Sequence, residues 1–222
     1  MVNEMRRVDV GLDEANKLLN RAGLPGVDSM EILQGGWDNT NILLTLTDAS
    51  KVVLKVWNAN TIEEVRRVVA RHCHLDEHGI PTAVPIEFLD GELVVEKEGM
   101  AWTILPFVQG GMLGTDEESL KSLGQTLARL QQIPTADCFP DEYRMGWALF
   151  DEMFEIADDT NSWSDFLISL KKEFESLRNQ IPANLPQGIL HGDLFPDNVI
   201  GDGSVVAILD LEEAFIGPCA FD

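Results

Sequence analysis

The chain has 222 residues, 45% of them hydrophobic, so it can bury a core as one large domain or as a small lobe joined to a larger one. Thirty-eight acidic residues face 16 basic ones, a formal net charge of −22. A surface of that sign repels nucleic-acid backbones and anionic lipid, so we expect no nucleic-acid partner and no membrane partner. A polyphosphate ligand would need shielding by a cation, which a divalent metal would supply.

The first half of the chain is predicted to be a small mixed lobe. Its strands are rich in Ile, Leu and Val and are separated by turn residues. A capping box, Thr61-Ile-Glu-Glu64, opens its second helix, and Gly79-Ile-Pro81 ends it. The predicted elements are a helix over 11–23, strands near 30–34, 40–47 and 51–57, a helix from 61 to about 78, and strands near 92–97 and 101–108.

The second half is predicted to be mainly helical. The glycine pair in 109–111 indicates a hinge, so the sequence predicts an α+β protein with a boundary between residues 108 and 109. We expect the last two strands to pair as a hairpin. The predicted elements are helices over about 120–130, 145–157 and 163–177, and strands near 188–191, 199–200 and 205–209.

Scattered cysteines and the absence of targeting signals point to a reducing compartment. Cys73, Cys138 and Cys219 show no CxxC spacing, which argues against a disulfide framework or a zinc ribbon. The first residues lack the apolar stretch of a signal peptide, and no run approaches 18 apolar residues. We therefore expect a cytoplasmic protein.

Residues 188–213 carry the clearest chemical pattern. Asp193 and Asn198 lie five apart on one predicted loop, and Asp210 ends the next strand. Phosphoryl transfer needs a carboxylate that orients or deprotonates the acceptor hydroxyl, which suits Asp193. It also needs metal ions on the phosphates, and Asn198 and Asp210 offer the hard oxygen ligands that magnesium prefers. We expect His191 to support the loop through hydrogen bonds. Each residue alone could simply make a turn, but the joint pattern favours the site.

This segment, His191-Gly-Asp-Leu-Phe-Pro-Asp-Asn198, resembles the motif of the aminoglycoside phosphotransferase and choline kinase-like superfamily, which is related to protein kinases. The resemblance implies a protein-kinase-like two-lobe fold. Residues 1–108 would form a nucleotide-binding N-lobe with a small antiparallel sheet and one helix, and residues 109–222 a helical C-lobe with the catalytic loop. It also implies ATP- and Mg²⁺-dependent phosphate transfer to a small-molecule hydroxyl acceptor. Asp193 would be the catalytic base, with Asn198 and Asp210 on the metal.

The resemblance extends into the first lobe. Lys55 lies on the third strand, where kinase-like proteins carry the lysine that contacts the α- and β-phosphates, although a solvated lysine on an edge strand is the alternative. A helix glutamate usually pairs with this lysine. Glu64 lies in the first turn of the helix, earlier than that partner normally does, so we expect it to cap the helix instead.

The resemblance also implies that two further segments bind the nucleotide. The turn 35–41, with Gly35, Gly36 and Asn39, would cover the phosphates, because glycines let backbone N–H groups approach an anion. A plain hairpin turn is the alternative. At the hinge, the Pro106 carbonyl and the Val108 N–H would meet the edge of adenine.

Within the superfamily, the wording of three stretches resembles type II homoserine kinases: 36–44, 79–81 and 185–199. The chain departs from that group after Asp210, where an aromatic-rich stretch is usual, and in keeping Lys55. Because the three stretches resemble homoserine kinases, an amino alcohol such as homoserine is the favoured acceptor. Choline or ethanolamine, methylthioribose and aminoglycosides are the alternatives, and a non-catalytic nucleotide-binding module is another.

The sequence stops where members of that superfamily begin a further helical segment. An aspartate at this point normally hydrogen-bonds to the catalytic loop, which makes Asp222 a structural support by resemblance. We expect the chain to be a fragment whose acceptor pocket is incomplete. A naturally short protein completed by a partner is the alternative.

Overall fold

A computed structural model describes residues 8–33, 39–182 and 184–222. The elements are α1 (Leu12–Arg21), β1 (Val27–Ile32), β2 (Thr40–Leu46), β3 (Lys51–Trp57), α2 (Ile62–Glu77), β4 (Val95–Lys97), β5 (Met100–Pro106), β6 (Gly111–Met112), α3 (Glu117–Leu130), α4 (Trp147–Asp159), α5 (Asp165–Gln180), β7 (Gln187–Leu190), β8 (Val199–Gly201), β9 (Val205–Ile208) and β10 (Phe215–Pro218). The predicted α+β class is confirmed.

The chain divides into two compact units. The first comprises residues 1–126 and 195–211, and the second comprises residues 127–194 and 212–222. This division follows packing, whereas the boundary predicted at residue 108 concerns the lobes of a kinase-like fold. That boundary stays a prediction.

The first unit contains a five-stranded antiparallel sheet in the order β1-β2-β3-β5-β4. Strand β2 alternates buried and half-buried residues along its length, as expected of a strand with one face on a core. Leu44 and Leu54 of the sheet are buried with Leu19 of α1 and with Trp102. The apolar face of α1 therefore covers the sheet.

Helix α2 has both ends fixed by local hydrogen bonds. The Thr61 hydroxyl accepts from the Glu64 N–H, and the Glu64 carboxylate accepts from the Thr61 N–H, so the predicted capping box is confirmed. At the other end Gly79 has φ +71°, and the Ile80 N–H donates to the Leu75 carbonyl over 2.9 Å. This Schellman-type ending turns the chain sharply away from the helix.

A second, three-stranded sheet of the first unit has the order β6-β8-β9. The predicted hairpin of the last two strands is confirmed by the antiparallel pairing of β8 with β9. Gly111, at the end of the predicted hinge, lies in β6 and pairs with Gly201. Thr82 forms an isolated parallel bridge with Ile208, which ties the segment after α2 to the end of β9.

The second unit combines helices with a two-stranded sheet. Strand β7 pairs antiparallel with β10, a strand that the sequence analysis did not predict. Between α4 and α5, the ring of Phe174 lies 4.8 Å from that of Trp147 and 5.5 Å from that of Phe154. Ser164 caps α5 by accepting from the Leu167 N–H. Within the described residues, no helix is long and apolar enough to cross a membrane.

Candidate functional site

The first unit contains a cavity of about 400 Å³. Five of the predicted site residues line it: Lys55, Pro106, Val108, Asn198 and Asp210. The structure therefore brings these five together. The lining residues are Leu33, Asn41, Val53, Lys55, Trp57, Val69, His72, Ala83, Pro85, Leu105, Pro106, Phe107, Val108, Gly110, Asp197, Asn198, Ile200, Leu209 and Asp210.

Lys55 is a buried cation in the wall of this cavity. Strand β3 lies between β2 and β5, so the edge-strand alternative for Lys55 is wrong. Lys55 is only 9% exposed. Its Nζ atom lies 3.9 Å from Oδ1 of Asp210 and 3.8 Å from the ring centroid of Trp57. Both contacts are attractive, because a carboxylate and the face of an indole ring each attract a cation.

Asp210 follows β9 in a strained backbone conformation. Its φ is +60°, in the left-handed region that costs a non-glycine residue about 1–2 kcal/mol. Although its side chain is 41% exposed overall, its Oδ1 atom is buried and has no hydrogen-bond partner among the described residues. A buried carboxylate oxygen in that state is costly unless a cation compensates it. Strained residues of this kind cluster at functional sites.

Asn198 is held close to the Asp210 segment by the backbone. It ends a 3₁₀ turn over Pro196–Asn198, and its carbonyl accepts from the Leu209 N–H over 2.8 Å. Asp197, which the sequence analysis did not propose, lines the same cavity. The amide and carboxylate oxygens of these residues are hard donors, so the residues present fit a Mg²⁺ ion.

The first residues of the predicted catalytic loop, 191–194, lie in the second unit. His191 is fully buried, and its Nδ1 accepts from the backbone N–H of Asp193 over 3.3 Å. That bond assigns the proton of a neutral His191 ring to Nε2. The contact agrees with the expected supporting hydrogen bond. The catalytic role of Asp193 stays a prediction.

Asp222 anchors the same loop. Its carboxylate accepts from the His191 N–H over 2.5 Å and from the Gly192 N–H over 3.0 Å, so the predicted supporting contact is confirmed. Gly192 has φ +76°. A Cβ atom there would lie 2.6 Å from the carbonyl oxygen of Glu213, so this position of the loop requires glycine.

The pKa of Tyr143 depends on negative charges near the loop. Burial raises the pKa of its phenol above the ordinary value, and the negative charges of Glu213 and then Asp193 raise it further. The Arg144 guanidinium donates to the Glu213 carboxylate over 2.7 Å. The Tyr143 ring stacks on Phe215 with centroids 5.1 Å apart. The sequence analysis did not propose Tyr143, because its place beside the loop depends on the unpredicted strand β10.

A second cavity, of about 460 Å³, lies within the second unit. Five of its lining residues are aromatic, and Gly192 and Asp222 of the loop segment form part of its wall. The lining residues are Asp141, Glu142, Tyr143, Gly146, Trp147, Phe150, Ile181, Gln187, Gly192, Phe215, Ile216, Gly217, Pro218, Phe221 and Asp222.

The predicted phosphate-covering turn is only partly described. Gly35 and Gly36 lie outside the described residues. Asn39 is buried, and its side-chain oxygen accepts from the Asn58 N–H over 3.1 Å. Within the described chain, Asn39 does not line the cavity. Its proposed contact with nucleotide stays a prediction.

A family model described as "Phosphotransferase enzyme family" (APH) matches residues 29–222. The chain belongs to this family.

Relatives with homoserine kinase names cover most of the chain. The homoserine kinase of Bradyrhizobium diazoefficiens is 28% identical over an alignment 222 positions long, and this alignment covers 96% of this chain and 67% of the relative. That of Phenylobacterium zucineum is 28% identical over 205 residues, with 90% and 62% covered. The chain therefore spans 62 to 67% of the length of these two homoserine kinases.

Solved structures share the fold at low identity. Spectinomycin phosphotransferase, in complex with ADP and spectinomycin, superposes with a TM-score of 0.73 at 17% identity, covering 97% of this chain and 73% of that one. A choline/ethanolamine kinase family protein from Mesorhizobium loti gives a TM-score of 0.65 at 19% identity, with 93% and 66% covered. These similarities show the fold alone.

Proposed function

We propose that this chain binds ATP and Mg²⁺ and transfers the γ-phosphate to a hydroxyl group of a small molecule, with an amino alcohol such as homoserine as the favoured acceptor. The observation that carries the proposal is the cavity in which Nζ of buried Lys55 lies 3.9 Å from Oδ1 of Asp210, an oxygen that accepts no hydrogen bond among the described residues. An anionic nucleotide would complement the charge of Lys55, and a divalent cation would complement that of Asp210. The homoserine kinase names of the relatives support the choice of acceptor.

Each residue has a role in the proposed reaction. Asp193 accepts the proton of the acceptor hydroxyl, whose oxygen forms a bond to the γ-phosphorus as the bond to the β–γ bridging oxygen breaks and ADP leaves. Lys55 binds the phosphates by charge. Asn198 and Asp210 would hold Mg²⁺, which supplies charge neutralisation on the phosphates.

Other residues would bind the nucleotide or support the catalytic loop. The Pro106 carbonyl and the Val108 N–H hydrogen-bond to adenine, and the turn with Gly35, Gly36 and Asn39 covers the phosphates. His191 holds the backbone of the loop through the Asp193 N–H.

Choline, ethanolamine, methylthioribose and aminoglycosides are the alternative acceptors. Because Lys55, Asp193, Asn198 and Asp210 are all present, a non-catalytic module is disfavoured.

The first experiment measures ADP release by the full-length protein that contains this chain, with Mg²⁺-ATP and a panel of acceptors: homoserine, choline, ethanolamine, methylthioribose and kanamycin. We expect homoserine to give the largest kcat/KM. Stimulation by choline alone would overturn the choice of acceptor. No stimulation by any compound, together with intact Mg²⁺-ATP binding, would instead favour the non-catalytic module.

The role of Asp193 is tested by Asp193→Asn. We expect kcat to fall about 100-fold or more, because the variant loses the general base, while the affinity for Mg²⁺-ADP changes less than about twofold because the nucleotide site is not altered. Asp202→Asn, at an exposed turn position, is the matched control and should change neither quantity. A variant at Asp193 that keeps most of its rate would remove this residue from the mechanism.

A further inference from the structure

Two consecutive polar residues interrupt the buried face of α2. Arg71 is 6% exposed and His72 is 7% exposed, whereas the neighbouring buried positions on the helix carry Val68, Val69 and Leu75. A buried guanidinium or imidazole is costly unless it is hydrogen-bonded. The partners of both side chains therefore indicate what these residues do.

Arg71 reaches the backbone just after Asp210. Its Nη1 donates to the carbonyl oxygen of Leu211 over 2.8 Å in a buried contact. Hydrogen bonds from a charged donor are among the stronger ones in proteins. This bond fixes the carbonyl of Leu211, one residue after Asp210, to helix α2.

His72 reaches the backbone just before Asp210 through Thr82. The Thr82 hydroxyl donates to the carbonyl oxygen of Ile208 over 2.8 Å, and the Thr82 Oγ1 lies 2.7 Å from Nδ1 of His72. Because a hydroxyl has a single proton to donate, Thr82 accepts from His72, and Nδ1 carries the hydrogen. The Ile208 N–H also donates to the Pro81 carbonyl over 2.9 Å.

These anchors bracket a residue in an unfavourable conformation. Asp210, with φ +60°, needs surrounding contacts that over-determine its backbone. The bonds from Arg71 and Thr82 hold the carbonyls of Leu211 and Ile208, one residue after Asp210 and two residues before it. Neither bond uses the carboxylate itself, so both leave it available to a ligand.

We propose that Arg71, His72 and Thr82 are positioning residues that clamp the 208–211 backbone to α2, so that Asp210 presents its buried carboxylate oxygen to the metal. The proposal rests on the proposed role of Asp210 as a metal ligand. Groups that orient metal ligands typically change metal affinity 10- to 100-fold when they are lost. Loss of the clamp should therefore weaken metal binding more than it weakens binding of the nucleotide.

The test compares Thr82→Val, which removes the hydroxyl at nearly constant volume, with Thr82→Ser, which keeps it. The measurements are Mn²⁺ affinity of the 222-residue chain in the presence of ADP, by electron paramagnetic resonance of free Mn²⁺, and ADP affinity without metal, by calorimetry. We expect Thr82→Val to weaken Mn²⁺ binding about 10-fold and Thr82→Ser less than about twofold. The affinity for metal-free ADP should be unchanged in both.

A second threonine of the same unit separates this effect from general loosening. The Thr126 hydroxyl donates to the Ser122 carbonyl over 3.0 Å, and Thr126 is 7% exposed. Thr126→Val therefore removes a comparable hydrogen bond without touching the Asp210 segment. It should leave Mn²⁺ affinity unchanged.

His72→Asn, whose amide can replace the Nδ1–H donor, should bind Mn²⁺ more tightly than His72→Leu.

Three results would contradict the proposal in distinguishable ways. Wild-type Mn²⁺ affinity in Thr82→Val overturns the clamp and leaves the proposed function intact. An equal loss in Thr126→Val and Thr82→Val also overturns it, because the effect would then be general. If the wild type binds Mn²⁺ no better than Asp210→Asn, the metal role of Asp210 fails and the clamp fails with it.

Discussion

At the scale of single residues, a tyrosine beside the predicted catalytic loop can report on the charge of Asp193. Tyr143 is the single tyrosine of the chain, so its ionisation can be followed without interference from other tyrosines. Burial, Glu213 and Asp193, in that order, raise the pKa of Tyr143. Because these causes disfavour the phenolate in the folded state, ionisation of Tyr143 destabilises the fold. The stability of the fold therefore decreases as pH rises from about 10 through the raised pKa.

We predict that Asp193→Asn lowers the pKa of Tyr143, because one of the negative charges that disfavour the phenolate is removed. Glu213→Gln should lower it more, since Glu213 is the larger of the two charged causes. The measurement is a tyrosinate absorbance titration near 295 nm, with circular dichroism to confirm folding. Asp151→Asn is the control, because Asp151 pairs with Arg178 and is not a cause of the Tyr143 shift. An unchanged pKa in Asp193→Asn would contradict the contact.

The sequence identified the residues whose chemistry is unusual in their local setting. Lys55 was predicted because the resemblance places the phosphate-contacting lysine on the third strand, and Asp210 because it ends a strand that follows Asp193 and Asn198. His72 was missed, although a polar residue on the apolar stripe of α2 was a visible signal. Its partner Thr82 is ten residues away, but Thr82 contacts Ile208, which lies 126 residues further along the chain. Contacts over that separation are not encoded in a local pattern.

At the scale of structural elements, the His191-Gly-Asp193 loop depends on a glycine. We predict that Gly192→Ala lowers kcat about 100-fold. The new Cβ would meet the Glu213 carbonyl oxygen at 2.6 Å, so the loop must move, and a shift of about 1 Å at a catalytic group can cost that much. The measurement is steady-state ADP release with the best acceptor of the panel.

Gly99→Ala is the matched control for Gly192→Ala. Gly99 has φ +77°, but a Cβ there meets nothing within 4 Å. The control therefore carries the same backbone penalty, about 1–2 kcal/mol, without the clash, and should keep its kcat. If Gly192→Ala is as active as Gly99→Ala, the close approach to Glu213 does not constrain the loop.

Helix α2 is specified by local signals and was predicted, whereas β10 is specified by pairing and was not. Helix α2 was predicted because its capping box and its glycine ending act within one turn of the helix. Strand β10 was missed because its four residues, Phe215–Pro218, include a glycine and a proline. They are extended because they pair with Gln187–Leu190. The aromatic cavity of the second unit depends on β10 and was missed for the same reason.

At the scale of the whole molecule, the charge of −22 acts on stability. With 38 acidic and 16 basic residues, most carboxylates have no cation with which to pair, so repulsion among them opposes the folded state. Exposed ion pairs such as Arg21–Asp90 and Arg178–Asp151 offset this only slightly, because solvent screens the attraction between exposed charges. Repulsion should therefore exceed the attraction from surface pairs.

We predict that NaCl raises the thermal unfolding midpoint of the chain, because salt screens the dominant repulsion more than it weakens the few attractive pairs. The Debye length falls to about 8 Å at 0.15 M, so most of the rise should occur below about 0.2 M. A rise that grows steadily into the molar range would reflect salt exclusion from the surface instead. The measurement is differential scanning calorimetry at pH 7 across a NaCl series. A midpoint that falls as NaCl is first added would show that attractive pairs outweigh the net charge.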